Sequence, residues 1–337
     1  MIKTWIKNAR AESLPQSVMP AVVAVVLAIG AENFCWWIAV LAVLGVALAH
    51  LSANLADDYF DYKADMLKDR EKVVRQGIKA FTAKYPYLTD GSATPKQLRN
   101  AVAGFGLAAI ACGVAICLVR GWELMLVAAV AGVMAFFYSA PPLKLCYHGL
   151  GELVTGLIFG PLLMLGVYWA AAGSSFGDLW WGILGVSVPM GLLVTNILFT
   201  HSMIDKAGDT ASEKKTLAAV WPKANMTISW MLIFVPFLII FACVALGRLG
   251  WPYLLVALML PRAIWLYWSL IQFQKGADFE KELEKPRKML GPMGDWATYR
   301  KLGLDWFLIR WLTARNIVSG YCLVIIVVKV AELIFLK

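Results

Sequence analysis

Four aspartates lie within nine residues, in a segment that directly follows a long apolar run. The segment reads Asn54-Leu-Ala-Asp57-Asp58-Tyr-Phe-Asp61-Tyr-Lys-Ala-Asp65. A helix turns by about 100° per residue, so one face of about 100° would carry all the oxygen ligands, namely Asn54, Asp57, Asp58, Asp61 and Asp65. Carboxylates packed this closely at a membrane boundary repel one another and are poorly solvated. A cation is therefore expected to offset their charge.

Oxygen-only ligands favour a hard divalent ion. Mg²⁺ usually keeps part of its coordination shell for waters and substrate phosphates. The segment therefore predicts a Mg²⁺–diphosphate site. The alternative is a solvated acidic helix end, which is the ordinary explanation for a run of charges.

A second polar group follows a later apolar run. His201, Asp205 and Asp209 are spaced i, i+4, i+8 and fall within about 80° on one helical face. This pattern alone is weak evidence, because a histidine and an aspartate one turn apart can simply pair. Two carboxylate clusters at one membrane face are stronger evidence, since opposed clusters can hold a diphosphate between Mg²⁺ ions. Asp61 and Asp205 are central in their clusters and are the predicted catalytic residues.

Basic and phenolic side chains near the clusters are candidates to bind the diphosphate. For any single lysine or arginine, a role in membrane topology is the simpler explanation. Lys144 differs, because it is the only basic residue in the short, proline-containing loop 138–148. The candidate diphosphate ligands are Arg70, Arg75, Tyr138, Lys144, Lys206 and Lys214.

The composition predicts an all-α polytopic membrane protein. The 337 residues are 60% hydrophobic and 16% charged, whereas a soluble domain is about 45–50% apolar and about 25% charged. A β-barrel would show short alternating segments instead of long apolar runs. Residues 306–315 are expected to lie along the membrane interface before the last span. About nine transmembrane helices are expected, at residues 14–31, 35–54, 100–119, 121–138, 150–171, 179–200, 226–247, 251–272 and 314–335.

The distribution of basic residues predicts the orientation. Of 31 Lys and Arg residues, 24 fall on the same side as the N-terminus and 3 on the other. By the positive-inside rule, the N-terminus and both clusters face the cytoplasm and the C-terminus lies outside, in a bacterial inner membrane. The same rule explains the net charge of +9 without a nucleic-acid partner. Residues 1–337 are expected to form one domain, with cytoplasmic loops 55–98, 201–225 and 273–305 over the site.

The two clusters resemble the paired aspartate motifs of the UbiA superfamily of intramembrane prenyltransferases. Residues 57–65 are similar to its NDxxDxxxD motif, and residues 205–217 to its DxxxD motif with a downstream GKxTL. Residues 138–144 are similar to its tyrosine–lysine loop, and residues 90–95 to the SGxITP element that opens the third helix. Three positions depart from these patterns: Asp57 stands at an Asn of the family, His201 at an Asn of the naphthoate enzymes, and Glu213 at a Gly.

The fifth span resembles the 1,4-dihydroxy-2-naphthoate prenyltransferases of menaquinone synthesis, through Gly149-Leu-Gly151-Glu152, Phe159-Gly-Pro161 and Leu165-Gly-Val-Tyr168. The resemblance implies Mg²⁺-dependent transfer of a polyprenyl group from a prenyl diphosphate to the naphthoate, with its carboxylate lost as CO₂. The glycines and proline would make room for a flat two-ring acceptor. An acceptor such as 4-hydroxybenzoate is the alternative.

Two other classes of protein also place acidic residues in membranes. An intramembrane CDP-alcohol phosphotransferase uses aspartates and Mg²⁺, but its DGxxAR signature is absent, because Tyr62-Lys63 follow Asp61. A transporter would place its ionisable groups near the bilayer midplane, whereas these clusters follow the ends of apolar runs. The prenyltransferase is the favoured interpretation.

Overall fold

The computed structural model describes residues 2–67, 85–173, 180–205, 209, 215–276 and 296–335. Within these ranges the chain forms helices and no strand. Shorter helices include Ile2–Asn8, Pro86–Thr89, Leu217–Val220 and Trp296–Lys301. The apolar helices are α1 (Pro15–Ala28), α2 (Trp36–Leu67), α3 (Pro95–Arg120), α4 (Glu123–Ser139), α5 (Gly151–Ala172), α6 (Trp180–Ile204), α7 (Asn225–Ala245), α8 (Trp251–Gln274) and α9 (Asp305–Phe335).

Seven of these helices are long and apolar enough to cross a membrane, as judged by their length and composition. The other two, α1 and α4, have 14 and 17 residues. Each of the nine predicted spans therefore corresponds to one apolar helix in the described part of the chain, although only seven reach spanning length. The prediction of an all-α integral membrane protein is confirmed.

The start of α3 shows how local sequence sets a helix boundary. The Gln97 backbone N–H donates to Thr94 Oγ1 at 3.3 Å, and the Gln97 side chain accepts from the Thr94 backbone N–H at 2.8 Å. This reciprocal capping box satisfies two otherwise unpaired N–H groups, and Pro95 occupies the first helical position, where no N–H is needed. Residues 90–95 thus open this helix as expected.

Helix α6 lies at the centre of the bundle and α3 at its edge. In the apolar window of α6, 72% of residues are buried, against 6% for α3. Helix α6 packs against α5, α7 and α9, while α2 packs along α3 and α1 packs against α5 and α9. Helices α3 and α4 are therefore peripheral, and much of their surface is not covered by other helices.

Glycines bring α5 and α6 into close contact. Gly156 and Gly160 lie directly against Gly191 and its neighbours on α6, and a Cβ at either position would overlap the facing helix. A π-helical turn, Ile158–Leu162, follows Gly156 and contains Pro161. These glycines serve helix packing, and the room predicted for an acceptor in this span must come from other positions.

The N-terminal part of α9 corrects one prediction. Residues 306–315 do not lie along the interface, because α9 begins at Asp305 and continues without a break to Phe335. Its first turns pack inward: the Trp306 ring stacks on Phe273 with centroids 5.7 Å apart. Arg310 is buried, and its guanidinium donates to the backbone oxygens of Trp306 and Ser269. These internal acceptors let a charged residue enter a buried helix.

Candidate functional site

A cavity of about 1680 Å³ lies among α1 to α6 and α9. Its walls are mostly apolar, but carboxylates from both predicted clusters line it: Asp57 near the end of α2, and Asp205 and Asp209 just beyond α6. Asn54 and Tyr138 line it as well. The fold therefore brings Asp57 and Asp205, which are 148 positions apart in the sequence (205 − 57), to one space.

Asp57 and Asp58 are held by Arg10, a residue from the turn before α1. A guanidinium nitrogen of Arg10 lies 3.6 Å from Asp57 Oδ2 and 3.3 Å from Asp58 Oδ1, and it also donates to the Asn54 backbone oxygen. The Ser139 hydroxyl donates to Asp57, and the Tyr87 hydroxyl donates to Asp58 at 2.8 Å. Asp57 lines the cavity, whereas Asp58 is fully buried behind it.

These contacts shift the pKa values of the partners. Burial lowers the pKa of Arg10, but the negative charges of Asp58 and Asp57 more than compensate, so its pKa is raised above the ordinary arginine value. Burial and the neighbouring Asp58 raise the pKa of Tyr87 well above that of a free phenol. Arg10 is therefore cationic and Tyr87 a neutral donor throughout the neutral range.

Asp61 is buried and does not line the cavity itself. It accepts a hydrogen bond of 2.8 Å from the Tyr147 hydroxyl, which comes from the loop after α4. The ammonium group of Lys144 lies over the Tyr147 ring, 5.8 Å from its centroid. The structure thus places Lys144 beside the first cluster through Tyr147, and Lys144 itself is not part of the cavity wall.

The second cluster spans the end of α6 and the described residues just beyond it. The Asp205 N–H donates to the His201 oxygen at 2.9 Å, and the Asp209 N–H to the Asp205 oxygen at 3.0 Å. The i, i+4, i+8 spacing therefore does place the three side chains along one face, and all three line the cavity. The His201 ring contacts α9 edge-on, through Phe307 at 5.2 Å and Trp311 at 6.4 Å.

Glu152 connects the chain segments that lie before and after Asp205 and Asp209. Its carboxylate is buried and accepts hydrogen bonds from the Ser202 hydroxyl at 2.9 Å and the Leu217 backbone N–H at 3.0 Å. One carboxylate thereby joins the start of α5, the end of α6 and the short helix Leu217–Val220. The two hydrogen bonds hold the end of α6 and the short helix Leu217–Val220 together beside the cavity.

Some predicted residues lie outside the described part of the chain: Arg70, Arg75, Lys206, Lys214 and the side chain of Asp65. In turn, no sequence pattern predicts that Arg10, Tyr87, Ser139 or Tyr147 belongs to the site. Arg10 is one of the basic residues that the positive-inside rule explains, and its position just before an apolar run is the one available signal. The hydroxyl groups gave no signal, because their partners are distant in sequence.

The carboxylate oxygens that line the cavity suit a Mg²⁺ ion that is bound together with an anionic substrate. Among the described residues, no three His, Cys, Asp or Glu side chains form a group that could hold a metal ion by themselves. Mg²⁺ is commonly bound by one or two carboxylates together with substrate phosphates. The carboxylates of Asp57, Asp205 and Asp209 are oxygen donors of this kind, so they suit an ion that arrives with an anionic substrate.

In comparisons with known proteins, two sequence relatives carry the same enzyme name, and a solved structure shares the fold. The chain is 28% identical over 215 residues to a 1,4-dihydroxy-2-naphthoate octaprenyltransferase of Mycobacterium tuberculosis, covering 64% of this chain and 68% of the relative. It is 25% identical over 274 residues to the enzyme of the same name from Escherichia coli, covering 77% and 82%. The fold matches a UbiA homologue from Archaeoglobus fulgidus bound to DMAPP and Mg²⁺, with a TM-score of 0.55, 14% identity and coverage of 95% and 98%.

A family model covers most of the chain. Residues 17–283 match the UbiA prenyltransferase family, a range that includes all but the first two residues of α1, the helices α2 to α8 and both aspartate clusters. The helical architecture, the cavity and the two clusters on its wall agree with that match. The chain therefore belongs to the UbiA prenyltransferase family and is a membrane-embedded prenyltransferase.

Proposed function

We propose that this protein transfers a polyprenyl group from a prenyl diphosphate to 1,4-dihydroxy-2-naphthoate, as a step of menaquinone biosynthesis. The observation that carries the proposal is that carboxylates of two clusters and a large apolar space meet in one cavity. The names of the relatives support the acceptor, and the homologue bound to DMAPP and Mg²⁺ supports a metal–diphosphate site.

The two clusters are the proposed Mg²⁺ site. Asp57, Asp205 and Asp209 line the cavity and would contribute directly. Bound Mg²⁺ would supply positive charge that stabilises the diphosphate as it leaves. The full proposed ligand set remains Asn54, Asp57, Asp58, Asp61, Asp65, Asp205 and Asp209, and the proposed diphosphate ligands remain Arg70, Arg75, Tyr138, Lys144, Lys206 and Lys214.

The remaining residues of the site orient these carboxylates. Arg10 and Ser139 hold Asp57 from two sides, Tyr147 holds Asp61, and Glu152 fixes the segments around the second cluster. Groups positioned before the reaction stabilise developing charge without reorganising, which is the main electrostatic source of catalysis.

The reaction needs no base at the attacking ring carbon. The allylic C–O bond of the donor breaks and its electron pair leaves with the diphosphate. The ring carbon that bears the carboxylate then forms a bond to the allyl carbon, and loss of CO₂ returns an electron pair to the ring. The chain of the donor fits the apolar part of the cavity, where small residues of α3 and α4 such as Gly106, Ala109, Gly113, Ala128 and Gly132 leave space.

Family membership decides between the protein classes that the sequence left open. The chain is neither a CDP-alcohol phosphotransferase nor a transporter of the type considered, because the UbiA prenyltransferase match covers residues 17–283. The topology, with the N-terminus and the site in the cytoplasm of a bacterial cell and the C-terminus outside, remains part of the proposal.

A direct competition tests the acceptor. Purified protein in detergent, given one prenyl diphosphate, Mg²⁺ and equal amounts of 1,4-dihydroxy-2-naphthoate and 4-hydroxybenzoate, is expected to form mainly the prenylated naphthalene product. The products are separated by chromatography and identified by mass. Prenylated hydroxybenzoate as the dominant product would overturn the naphthoate assignment and leave the prenyl transfer standing.

Gly166 is a glycine of α5 that lines the cavity. A Cβ there would lie 3.5 Å from Val127 Cγ1, an ordinary contact, so a larger side chain would extend into the open space. Gly166→Leu is expected to lower kcat/KM for the naphthoate about 10-fold or more, because it takes up acceptor space. The dependence on Mg²⁺ concentration should not change. Gly166→Ala is the matched control and should behave almost like the wild type. An unchanged kcat/KM in Gly166→Leu would indicate that the acceptor does not bind beside α5.

A further inference from the structure

Arg315 is a cation in the interior of an apolar helix, ten residues after the start of α9. Ionisable side chains at such positions are costly and usually face a functional cavity. The family match ends at residue 283, so α9 lies beyond it and the match assigns Arg315 no role. The chemistry of Arg315 must be read from its own surroundings.

The guanidinium of Arg315 is held in a fixed position. It donates to the Glu12 backbone oxygen at 2.8 Å, and its central carbon lies 5.1 Å above the centre of the Trp311 ring. Trp311 is in turn stacked with Phe307, at a centroid distance of 5.8 Å, and contacts His201. A cation over an aromatic face loses little freedom when it binds an anion, because it is already oriented.

Arg315 also lines the cavity in which the reaction would take place. Arg315, Trp311 and His201 all line the large cavity, and His201 is one helical turn before Asp205. In the described part of the chain, the hydrogen bond to Glu12 uses one of the five guanidinium N–H groups. The other donors are therefore available to a ligand in the cavity.

The other basic residues of α9 have different surroundings. Arg310 is buried away from the cavity against backbone oxygens, and Lys329 pairs with Glu332 at 3.6 Å. Neither of them lines the cavity. Arg315 is thus the one described basic residue of α9 whose position suits ligand binding.

We propose that Arg315 binds the carboxylate of an aromatic acceptor and is the residue that selects acceptors carrying this group. The inference rests on the proposed function and extends it to the substrate class. A planar guanidinium and a planar carboxylate form two parallel hydrogen bonds, which give the pair both strength and a fixed geometry. Phosphate oxygens of the donor or of a lipid are the other anions that a guanidinium could take, and the experiment separates them.

Loss of the carboxylate during the reaction predicts which measured quantities a contact with Arg315 should affect. The carboxylate is present in the acceptor and absent from the prenylated product, since it leaves as CO₂. Arg315 would therefore strengthen binding of the acceptor and contribute nothing to binding of the product. An interaction made in the ground state and lost later appears in KM and binding affinity more than in kcat.

The test compares two ligands that differ only by the carboxylate. Binding of 1,4-dihydroxy-2-naphthoate and of 1,4-dihydroxynaphthalene to the purified full-length protein is measured by calorimetry without a donor. In Arg315→Gln we expect at least about 10-fold weaker binding of the naphthoate and unchanged binding of the naphthalenediol. The KM for the prenyl diphosphate and inhibition by the prenylated product should stay the same. Arg315→Lys should recover part of the loss, and Lys329→Gln is the matched control in the same helix.

Several outcomes would overturn the inference. Equal weakening of both ligands would make Arg315 a packing residue, and a raised donor KM with unchanged naphthoate binding would make it a diphosphate ligand. Unchanged naphthoate binding combined with a lost response to vesicles containing phosphatidylglycerol would assign it to lipid. Failure of the proposed function looks different: the wild type would bind the naphthoate through Arg315 but would not prenylate it.

Discussion

Asp205→Asn is expected to lower kcat for prenyl transfer at least about 100-fold while leaving membrane insertion and folding intact. Asp205 lines the cavity just beyond the end of α6, so its carboxylate faces the space where the diphosphate would lie. Asparagine keeps the shape of the side chain and removes its charge, so the positive charge needed at the leaving group loses support. Initial rates at saturating donor and Mg²⁺ measure the effect, and size-exclusion chromatography in detergent checks the fold.

The matched control is Glu123→Gln, which removes an exposed carboxylate at the start of α4 that does not line the cavity, and it should keep the wild-type rate. Excess EDTA should abolish turnover of the wild type, and added Mg²⁺ should restore it. Wild-type rates in Asp205→Asn would contradict the two-cluster site. Full activity in EDTA would contradict the metal itself.

Asp61→Asn is expected to reduce kcat by a similar factor, but the structure makes this a more discriminating experiment. Asp61 is buried, accepts from Tyr147 and does not line the cavity. An asparagine could still accept that hydrogen bond, so a loss of activity would point to the charge and not to the contact. A nearly active Asp61→Asn beside an inactive Asp205→Asn would remove Asp61 from the catalytic pair.

Arg10→Gln is expected to have the largest effect on stability. It removes the cation that faces Asp57 and Asp58, and Asp58 is fully buried. Breaking a fully buried ion pair from one side costs about 3–5 kcal/mol. The Arg10 side chain is 34% exposed, so we expect about 2 kcal/mol and a clearly lower midpoint of thermal unfolding in detergent.

A second substitution tests whether the lost stability comes from the ion pair. Asp58→Asn in the Arg10→Gln background should restore most of the midpoint, because it removes the carboxylate left without its cation. Lys3→Gln, which removes an exposed basic residue of the same N-terminal segment, should change little. A double variant as unstable as Arg10→Gln alone would assign the effect to packing.

The pH dependence of this contribution follows from the raised pKa of Arg10. A group whose pKa is raised in the folded state stabilises fully below its unfolded pKa and loses that stabilisation only as the pH rises through the folded value. For an arginine both values lie far above neutral pH. The difference in stability between the wild type and Arg10→Gln should therefore be constant on the alkaline side of neutrality.

Local sequence patterns were sufficient to predict the helices and the two carboxylate clusters. The positions of α1 to α9 follow from runs of apolar residues, and the alignment of His201, Asp205 and Asp209 follows from helical periodicity. Such features depend on residues within a few turns of one another. For the same reason, the resemblance to the UbiA family was visible in short motifs.

The surroundings of those motifs depended on packing between helices. Gly160 suggested space in α5, but α6 fills it, whereas Gly166 lines the cavity. Residues 306–315 suggested an interface segment, because two arginines and two tryptophans occur in ten residues. A backbone oxygen and an aromatic ring of α8 lie against Arg310, and α9 begins at Asp305, nine residues before the predicted start at position 314.

The sequence by itself therefore determined that this chain is a helical membrane protein with two acidic clusters, for which it predicts a site for Mg²⁺ and diphosphate. Only the tertiary structure decided which oxygens face the cavity, with Asp57 on its wall and Asp58 behind it. It also decided that Arg10 lies against both. The physical reason is that helical periodicity orients a side chain about its own axis, whereas the neighbouring helices determine what that side chain meets.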